Sequence, residues 1–373
     1  MRLVREAEAT VWCLLGKKAG DNTQVRALAQ ELGWGFAEKL IVARSWELLA
    51  NLGLRITLAG IDRGKSSPLQ PPWPDLVITA GRRNEPVARW IRRRSGGRTR
   101  LVHIGRPWAP LKAWDLVVTT PQYFLPEQPN VLHNTLPLHR MSGGELVAAG
   151  ARLEPELAEL PRPWIALLVG GDSGRFVMTP AKGARLGRLA NALAEAAGGA
   201  LLVSGSPRTP GGAIEALRAE LAAPHYLYRW GDPGDNPYRG LLALADAFVV
   251  TGESMSMLGE AAAMGGPLLI FDPGDGATPW WRLAHSYRYK PLSHRFAMRC
   301  GPRRMRRDIG RIQDALVADG RARWLEPALI EPAAAELRSR APAAPRPGAA
   351  DGELAQVELR RAAAAVRRLL PAR

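Results

Sequence analysis

Cysteine and long apolar runs are scarce in this chain of 373 residues. The two cysteines, Cys13 and Cys300, are too few for a disulfide framework or a cysteine-based metal site. No stretch approaches the roughly 18 apolar residues of a membrane-spanning helix. The apolar core near residue 1 is also too short for a signal peptide. These absences predict a soluble protein in a reducing compartment, the cytoplasm.

Several motifs that would define a reaction class are missing as well. The six histidines lack metal-ligand spacing, and no Asp-x-Asp pair is present to hold a metal against a diphosphate. A Gly-x-Ser-x-Gly elbow, a Walker A loop and a Gly-x-Gly-x-x-Gly fingerprint are all absent. The sequence therefore disfavours hydrolase, ATPase and dehydrogenase functions. We expect neither a metal site nor a permanently bound cofactor.

Positive charge, in contrast, is abundant. The chain has 51 Lys and Arg against 35 Asp and Glu, a net charge of +16, with arginine concentrated at residues 82–100 and 295–311. Two interpretations are open: a solvated arginine-rich surface, or a surface that contacts phosphate groups or an anionic membrane. No nucleic-acid-binding motif is present, so we expect no nucleic-acid partner.

The hydrophobic pattern alternates between strand-like and helix-like segments in two successive regions. Because one hydrophobic core stops growing at about 250–300 residues, we expect two domains. Alternating strands and helices predict parallel sheets, so the expected fold is α/β, with two Rossmann-like, doubly wound domains facing each other across a cleft. The expected parts are an N-terminal domain (1–140), a connection (141–163), a C-terminal domain (164–323) and a tail (324–373) that is helical, with a flexible stretch at 341–350.

Polar, glycine-rich loops follow the predicted strands of the second domain. Ligands of open α/β sheets bind beyond the carboxyl ends of the strands, and glycines, hydroxyl groups and an arginine suit a phosphorylated ligand. For each loop taken singly, an ordinary capped turn is the alternative. The candidate nucleotide- and phosphate-binding residues are Gly170, Gly171, Ser173, Ser204, Ser206, Arg208, Thr209, Thr251, Ser254, Ser256 and Glu260.

The loop after the first predicted strand has a different composition. Gly20 permits a tight turn, and Asp21 or Asn22 can cap the following helix. A capped strand-to-helix turn explains this loop equally well. The functional interpretation makes Asp21 a candidate base or an acceptor-binding carboxylate.

Seven short segments together carry a family resemblance. They are Gly20-Asp-Asn-Thr-Gln24, Ile78-Thr-Ala-Gly-Arg82-Arg83, Asp115-Leu-Val-Val, Val169-Gly-Gly-Asp-Ser-Gly, Ser206-Pro-Arg208-Thr209-Pro210, Asn236-Pro-Tyr238 and residues 251–267. In order and spacing, from about residue 11 to residue 272, they resemble the plant mitochondrial fission factor family named for elongated mitochondria. Its bacterial relatives are classed by inference as glycosyltransferases.

The resemblance implies a GT-B-like fold, in which the C-terminal domain binds a nucleotide-sugar and the N-terminal domain binds an acceptor. It further implies that Glu260 holds the ribose, that the loops at 170–171 and 254–256 hold the diphosphate, and that no metal is needed. Residues 121–123 lack the His-Asp of many relatives and Pro207 replaces an arginine, departures that concern acceptor choice more than nucleotide binding. The implied acceptor-side residues are Gly20, Asn22, Gln24, Gly81 and Arg82.

The expected function is transfer of a sugar from a nucleotide-diphospho-sugar to a glycan or lipid-linked acceptor, at the inner face of the membrane. Asp21 would be the base, and Arg208, Ser206 and the helix start near Ser254 would stabilise the leaving diphosphate. The main alternative is a non-catalytic adaptor like the plant fission factor. A third option is a nucleotide-sugar epimerase. Transfer requires two ligands, epimerisation one and an adaptor none.

Overall fold

A computed structural model describes residues 9–47, 56–140, 143–173, 176–274, 299–301, 307–340 and 353–370. The chain forms two compact units, one containing Met1–Arg140 and Ala355–Arg373 and the other Met141–Leu354. We call them unit 1 and unit 2. Each is built on a six-stranded sheet, and all strand pairs are parallel. The fold is thus α/β, with two Rossmann-like units.

Most of the strands are short and almost entirely buried, as expected where helices cover both faces of a parallel sheet. They are β1 (Val11–Leu15), β2 (Phe36–Leu40), β3 (Leu76–Ala80), β4 (Arg100–Ile104), β5 (Leu116–Thr119), β6 (Val131–His133), β7 (Trp164–Leu168), β8 (Ala200–Ser204), β9 (His225–Tyr228), β10 (Ala247–Thr251), β11 (Leu268–Phe271) and β12 (Arg323–Trp324).

The helices of the described residues lie between these strands and after the last one. They are α1 (Ala19–Leu32), α2 (Glu85–Arg94), α3 (Gly143–Leu157), α4 (Pro180–Ala197), α5 (Gly211–Arg218), α6 (Tyr238–Leu244), α7 (Met255–Ala262), α8 (Gly310–Ala318), α9 (Ile330–Ser339) and α10 (Glu353–Arg367). Of the helices described, none is long and apolar enough to span a membrane.

Strand order places a topological switch point in each unit. Unit 1 has the order β2-β1-β3-β4-β5-β6. The direction in which successive strands are added to the sheet therefore reverses between β1 and β3. Unit 2 has the order β12-β11-β10-β7-β8-β9, the Rossmann order, with the reversal between β7 and β10. Ligands of such sheets bind beyond the carboxyl ends of the strands that flank this point.

Close packing of α4 on α5 shows how the sequence positions these elements. Thr179 caps α4 by accepting a hydrogen bond from the Lys182 backbone N–H (3.3 Å). A Cβ at Gly183 would collide with the Ala213 carbonyl group of α5. Glycine therefore allows the two helices to approach closely.

The structure differs from the sequence expectations in several regions. Strands β2, β6 and β12 were not predicted, and all three lie at sheet edges. Residues 141–163, interpreted as a connection, contain α3, which packs its buried leucines into unit 2. The expected tail is divided, because α9 packs in unit 2 and α10 in unit 1. Residues 341–350 and most of 295–311 lie outside the described residues.

Candidate functional site

Three strand-end loops of unit 2 meet beside its switch point. The Gly170 backbone N–H, after β7, donates to Thr251 Oγ1 at the end of β10 (2.8 Å). Ser206 Oγ, after β8, donates to the Gly170 carbonyl oxygen (2.7 Å). Hydrogen bonds therefore join the loops after β7, β8 and β10 into one group, which we call the loop cluster.

Two glycines make this close approach possible. A Cβ at Gly170 would overlap the carboxyl group of Glu253, and a Cβ at Gly171 would overlap the Arg208 carbonyl group. The sequence pattern predicted that these glycines let a ligand approach the backbone closely. In the structure, the space they leave is filled by other parts of the protein.

Arg208 is an exposed cation among the described residues of the loop cluster. Its Nη2 donates to Ser254 Oγ (3.2 Å) and its Nη1 to the Asp172 carbonyl oxygen (3.3 Å). A guanidinium group has five N–H donors, so these two bonds leave donors for an anion. Thr209 Oγ1 supports the loop by donating to the Val169 carbonyl oxygen (2.9 Å).

Glu253 is a buried carboxyl group of the loop cluster that sequence analysis missed. Its side chain is 2% exposed, and Oε1 accepts from the Gly171 N–H (2.5 Å) and from Thr251 Oγ1 (3.0 Å). Oε2 has no hydrogen-bond partner among the described residues. Burial raises the pKa of this carboxyl group, against the lowering effects of the Gly171 N–H, its own N–H, the Thr251 hydroxyl and Arg208. The sequence signal for this site is that Glu253 stands between Gly252 and Ser254, directly after the buried strand β10.

Glu260 lies farther along α7 and pairs with a tyrosine. The Tyr238 hydroxyl donates to the Glu260 carboxylate. Burial raises the pKa of Glu260, while Tyr238 and Arg239 lower it. Burial and the adjacent carboxylate raise the pKa of Tyr238 well above its usual value. The pair is thus a neutral phenol that orients a carboxylate.

The remaining candidates of unit 2 differ in accessibility. Ser204 is buried and its hydroxyl donates to the Gly205 carbonyl oxygen (3.3 Å). Ser173 is partly buried, and its backbone N–H and C=O groups pair with Phe176. Ser256 is exposed on the first turn of α7, while Ser254 occupies the N-cap position of that helix.

In unit 1, Asp21 and Asn22 lie at the switch point between β1 and β3. Asn22 closes the loop after β1, since Oδ1 accepts from the Gly16 N–H (2.9 Å) and Nδ2 donates to the Gly16 carbonyl oxygen (2.8 Å). A Cβ at Gly81, after β3, would lie 2.9 Å from Asp21 Oδ2. The predicted capping role is wrong, because α1 begins earlier, with Lys18 at the N-cap and no side-chain capping bond.

The other acceptor-side candidates lie around this point. Gly20 is exposed, and its carbonyl oxygen accepts from Gln24 Nε2 (3.4 Å). The Arg82 guanidinium lies over the Trp108 ring (4.7 Å to the ring centroid) and 3.7 Å from Glu47 Oε1. Arg82 is thus held by an aromatic ring and a buried carboxylate.

Unit 1 contains a buried polar pair, Glu85 and His103, that was not predicted from the sequence. Glu85, 3% exposed, accepts from the backbone N–H groups of Trp108 (2.7 Å) and Ala109 (2.8 Å). Burial raises its pKa to about 7 against the opposing effect of those bonds. His103 is fully buried, 3.8 Å from Glu85, and burial lowers its pKa to about 3, so the imidazole is neutral.

Sequence comparison identifies relatives of the chain. The family model described as Mitochondrial fission ELM1 matches residues 19–346. Mitochondrial fission protein ELM1 of Arabidopsis thaliana is 29% identical over 221 residues, 53% of this chain and 51% of the plant protein. The chain therefore spans about half the length of that relative. An uncharacterized protein of Rickettsia prowazekii (strain Madrid E) is 23% identical over 300 residues, 70% of this chain and 83% of that protein.

Structure comparison aligns the chain with two solved proteins at low sequence identity. MurG of Acinetobacter baumannii is 15% identical, with a TM-score of 0.46, over 97% of this chain and 99% of that one. UDP-GlcNAc 2-epimerase from Methanocaldococcus jannaschii is 11% identical, with a TM-score of 0.48, over 96% of this chain and 99% of that one.

Proposed function

The chain belongs to the Mitochondrial fission ELM1 family, and from this premise we propose that it is a GT-B glycosyltransferase. It would transfer a sugar from a nucleotide-diphospho-sugar to a glycan or lipid-linked acceptor. The observation that carries the proposal is the loop cluster at the β7/β10 switch point, the position at which open α/β sheets bind ligands.

The diphosphate of the donor would lie against the loop cluster. Arg208 supplies an exposed guanidinium group there, and the N-terminus of α7, after Ser254, supplies unpaired backbone N–H groups and the positive end of a helix dipole. Both would stabilise the charge that develops on the leaving diphosphate. With these donors, and without an Asp-x-Asp pair, we propose that the reaction is metal-independent.

The ribose would be held by Glu260 and the acceptor by unit 1. Tyr238 donates to the Glu260 carboxylate, which leaves that group acceptor capacity for ribose hydroxyls. In unit 1 we assign the base to Asp21, which is partly exposed beside Gly81. Gly20, Asn22, Gln24 and Arg82 would form the surroundings of the acceptor.

A thermal-shift screen of the purified chain tests the donor assignment. The ligands are UDP, GDP, CDP and ADP and their sugars, and the variants are Glu260→Gln and, as a matched control, Glu154→Gln at an exposed position of α3. A ligand at about 100 times its Kd adds about 2.7 kcal/mol to the free energy of unfolding. We expect a selective shift that the control keeps and Glu260→Gln loses. No shift with any nucleotide would refute the proposal.

The alternative is a non-catalytic adaptor, and one observation favours it. Hydroxyl groups of the loop cluster, those of Thr251, Ser206 and Thr209, all bond to groups within the protein. An adaptor requires no ligand in this cluster. The screen therefore separates the two functions, because an adaptor shows no nucleotide-dependent shift.

We also propose that the protein works in the cytoplasm, in peripheral contact with an anionic membrane. Arg93, Arg94 and Arg98 are exposed at and beyond the end of α2. The Arg94 guanidinium lies 5.7 Å from the ring centroid of Trp90. Exposed arginines next to a tryptophan are suited to lipid headgroups, because they combine positive charge with an amphipathic ring.

A further inference from the structure

Glu253 places a buried carboxyl group in the interior of the loop cluster. Its Oε1 accepts hydrogen bonds from the Gly171 N–H and the Thr251 hydroxyl. Its Oε2 is buried and has no hydrogen-bond partner among the described residues. A buried polar atom without a hydrogen-bond partner lowers the stability of the folded state. A ligand group that forms a hydrogen bond with Oε2 would remove this cost.

The position of Glu253 matters because its bond is one that a phosphate would make. Backbone N–H groups at glycine-rich strand ends bind phosphate oxygens in many nucleotide sites. Here an internal carboxyl oxygen already accepts from the Gly171 N–H. Gly170 provides the space, since a Cβ there would overlap that carboxyl group.

We propose that Glu253 is a proton-linked gate of the phosphate subsite. Protonated, it donates its Oε2–H to a phosphate oxygen of the nucleotide-sugar while Oε1 keeps the Gly171 N–H. Ionised, it places a second negative charge beside the phosphate and opposes binding. Above the carboxyl pKa of the free protein, each ligand bound therefore takes up one proton from solvent. The inference rests on the proposed function, for which it supplies the regulation of the same site.

The charged neighbours determine the direction of the effect. Arg208, in the loop after β8, acts directly on Glu253. The other charged groups on the adjoining elements are Asp172 in the loop after β7 and Glu260 on α7, while Gln313 of α8 donates to the Gly252 carbonyl oxygen. Arg175, in the loop after β7, lies outside the described residues. Burial already raises the pKa of Glu253, and a bound phosphate would raise it further. Affinity should therefore fall as pH rises.

Calorimetry of the full chain tests the gate. The probes are UDP-N-acetylglucosamine, GDP-mannose and ADP-glucose, whose diphosphates are diesters of constant charge from about pH 5.5 to about pH 8.5, titrated in buffers of different ionisation enthalpy. For the wild type we expect uptake of about one proton per ligand and a Kd that rises about tenfold per pH unit above the carboxyl pKa. Glu253→Gln should bind with a Kd independent of pH and without proton uptake. Asp172→Asn should keep the wild-type slope.

The outcomes separate the gate from the function. Wild-type binding without pH dependence or proton uptake overturns the gate and leaves the function intact, as does a slope that persists in Glu253→Gln. Binding by Glu253→Gln where the wild type fails supports the gate. If neither protein binds any probe at any pH, while circular dichroism shows both folded, the proposed function is overturned and the gate with it.

Discussion

At the scale of single residues, Glu85 makes stability depend on pH. Its pKa of about 7 exceeds the ordinary 4.5, so the folded state binds the proton more tightly than the unfolded state. The free energy of unfolding should therefore fall between these two pH values and level off above them. The difference corresponds to about 3 kcal/mol. Urea denaturation across this range should show the decrease in the wild type relative to Glu85→Gln.

The diagnostic quantity is the difference in the free energy of unfolding between the wild type and Glu85→Gln, measured as a function of pH. A glutamine oxygen can satisfy the Trp108 and Ala109 N–H groups only in part, so the variant starts less stable at low pH. Other buried carboxyl groups titrate equally in both proteins and cancel. Parallel stability curves would show that Glu85 has an ordinary pKa.

Single residues also show how far the sequence could predict the site. The strand-end rule located Gly170, Ser206 and Thr251, because polar loops after parallel strands share one sheet edge. Glu253 was missed, since the sequence does not show that a loop carboxylate turns inward to a backbone N–H. Side-chain direction in a loop depends on tertiary contacts, which here come from residues far along the chain.

At the scale of elements, α10 completes the core of unit 1. Leu359 is 0% exposed in the same cluster as the sheet residues, whereas Val357 on the same helix is 48% exposed. Leu359→Ala should lower the free energy of unfolding by about 2–5 kcal/mol, through lost burial and a cavity. Val357→Ala should change it by no more than about 0.5 kcal/mol. Equal effects in urea denaturation would contradict the packing of α10.

The edge strands that the sequence failed to predict share one physical reason. Strand β2, Phe36–Leu40, is only partly buried or exposed at every position, whereas β6, Val131–His133, has three residues and β12, Arg323–Trp324, has two. Edge strands need little apolar surface, so hydrophobic periodicity is weak in them. The central strands, such as β3 and β10, are buried throughout, and their continuous apolar runs produce the strand-like segments of the sequence.

At the scale of the whole molecule, the net charge of +16 predicts salt-dependent binding to anionic lipid. The chain should sediment with phosphatidylglycerol vesicles and not with phosphatidylcholine vesicles, and salt should weaken binding. Since each arginine near the surface contributes about 1 kcal/mol, Arg93→Glu/Arg94→Glu should weaken it by at least about 2 kcal/mol. Arg152→Glu/Arg321→Glu, at exposed positions elsewhere, makes the same change in net charge. If both pairs weaken binding equally, α2 is not the lipid-binding surface.

The return of α10 to unit 1 also bears on the order of folding during synthesis. Unit 2 is continuous in sequence, so all of its strands are synthesised before α10. The apolar surface of unit 1 that receives Leu359 and Val366 therefore lacks α10 while residues 141–354 are translated. Domains generally fold as units during synthesis. Unit 2 can thus reach its native state first, and the earlier-made part of unit 1 is the region that a chaperone would need to protect.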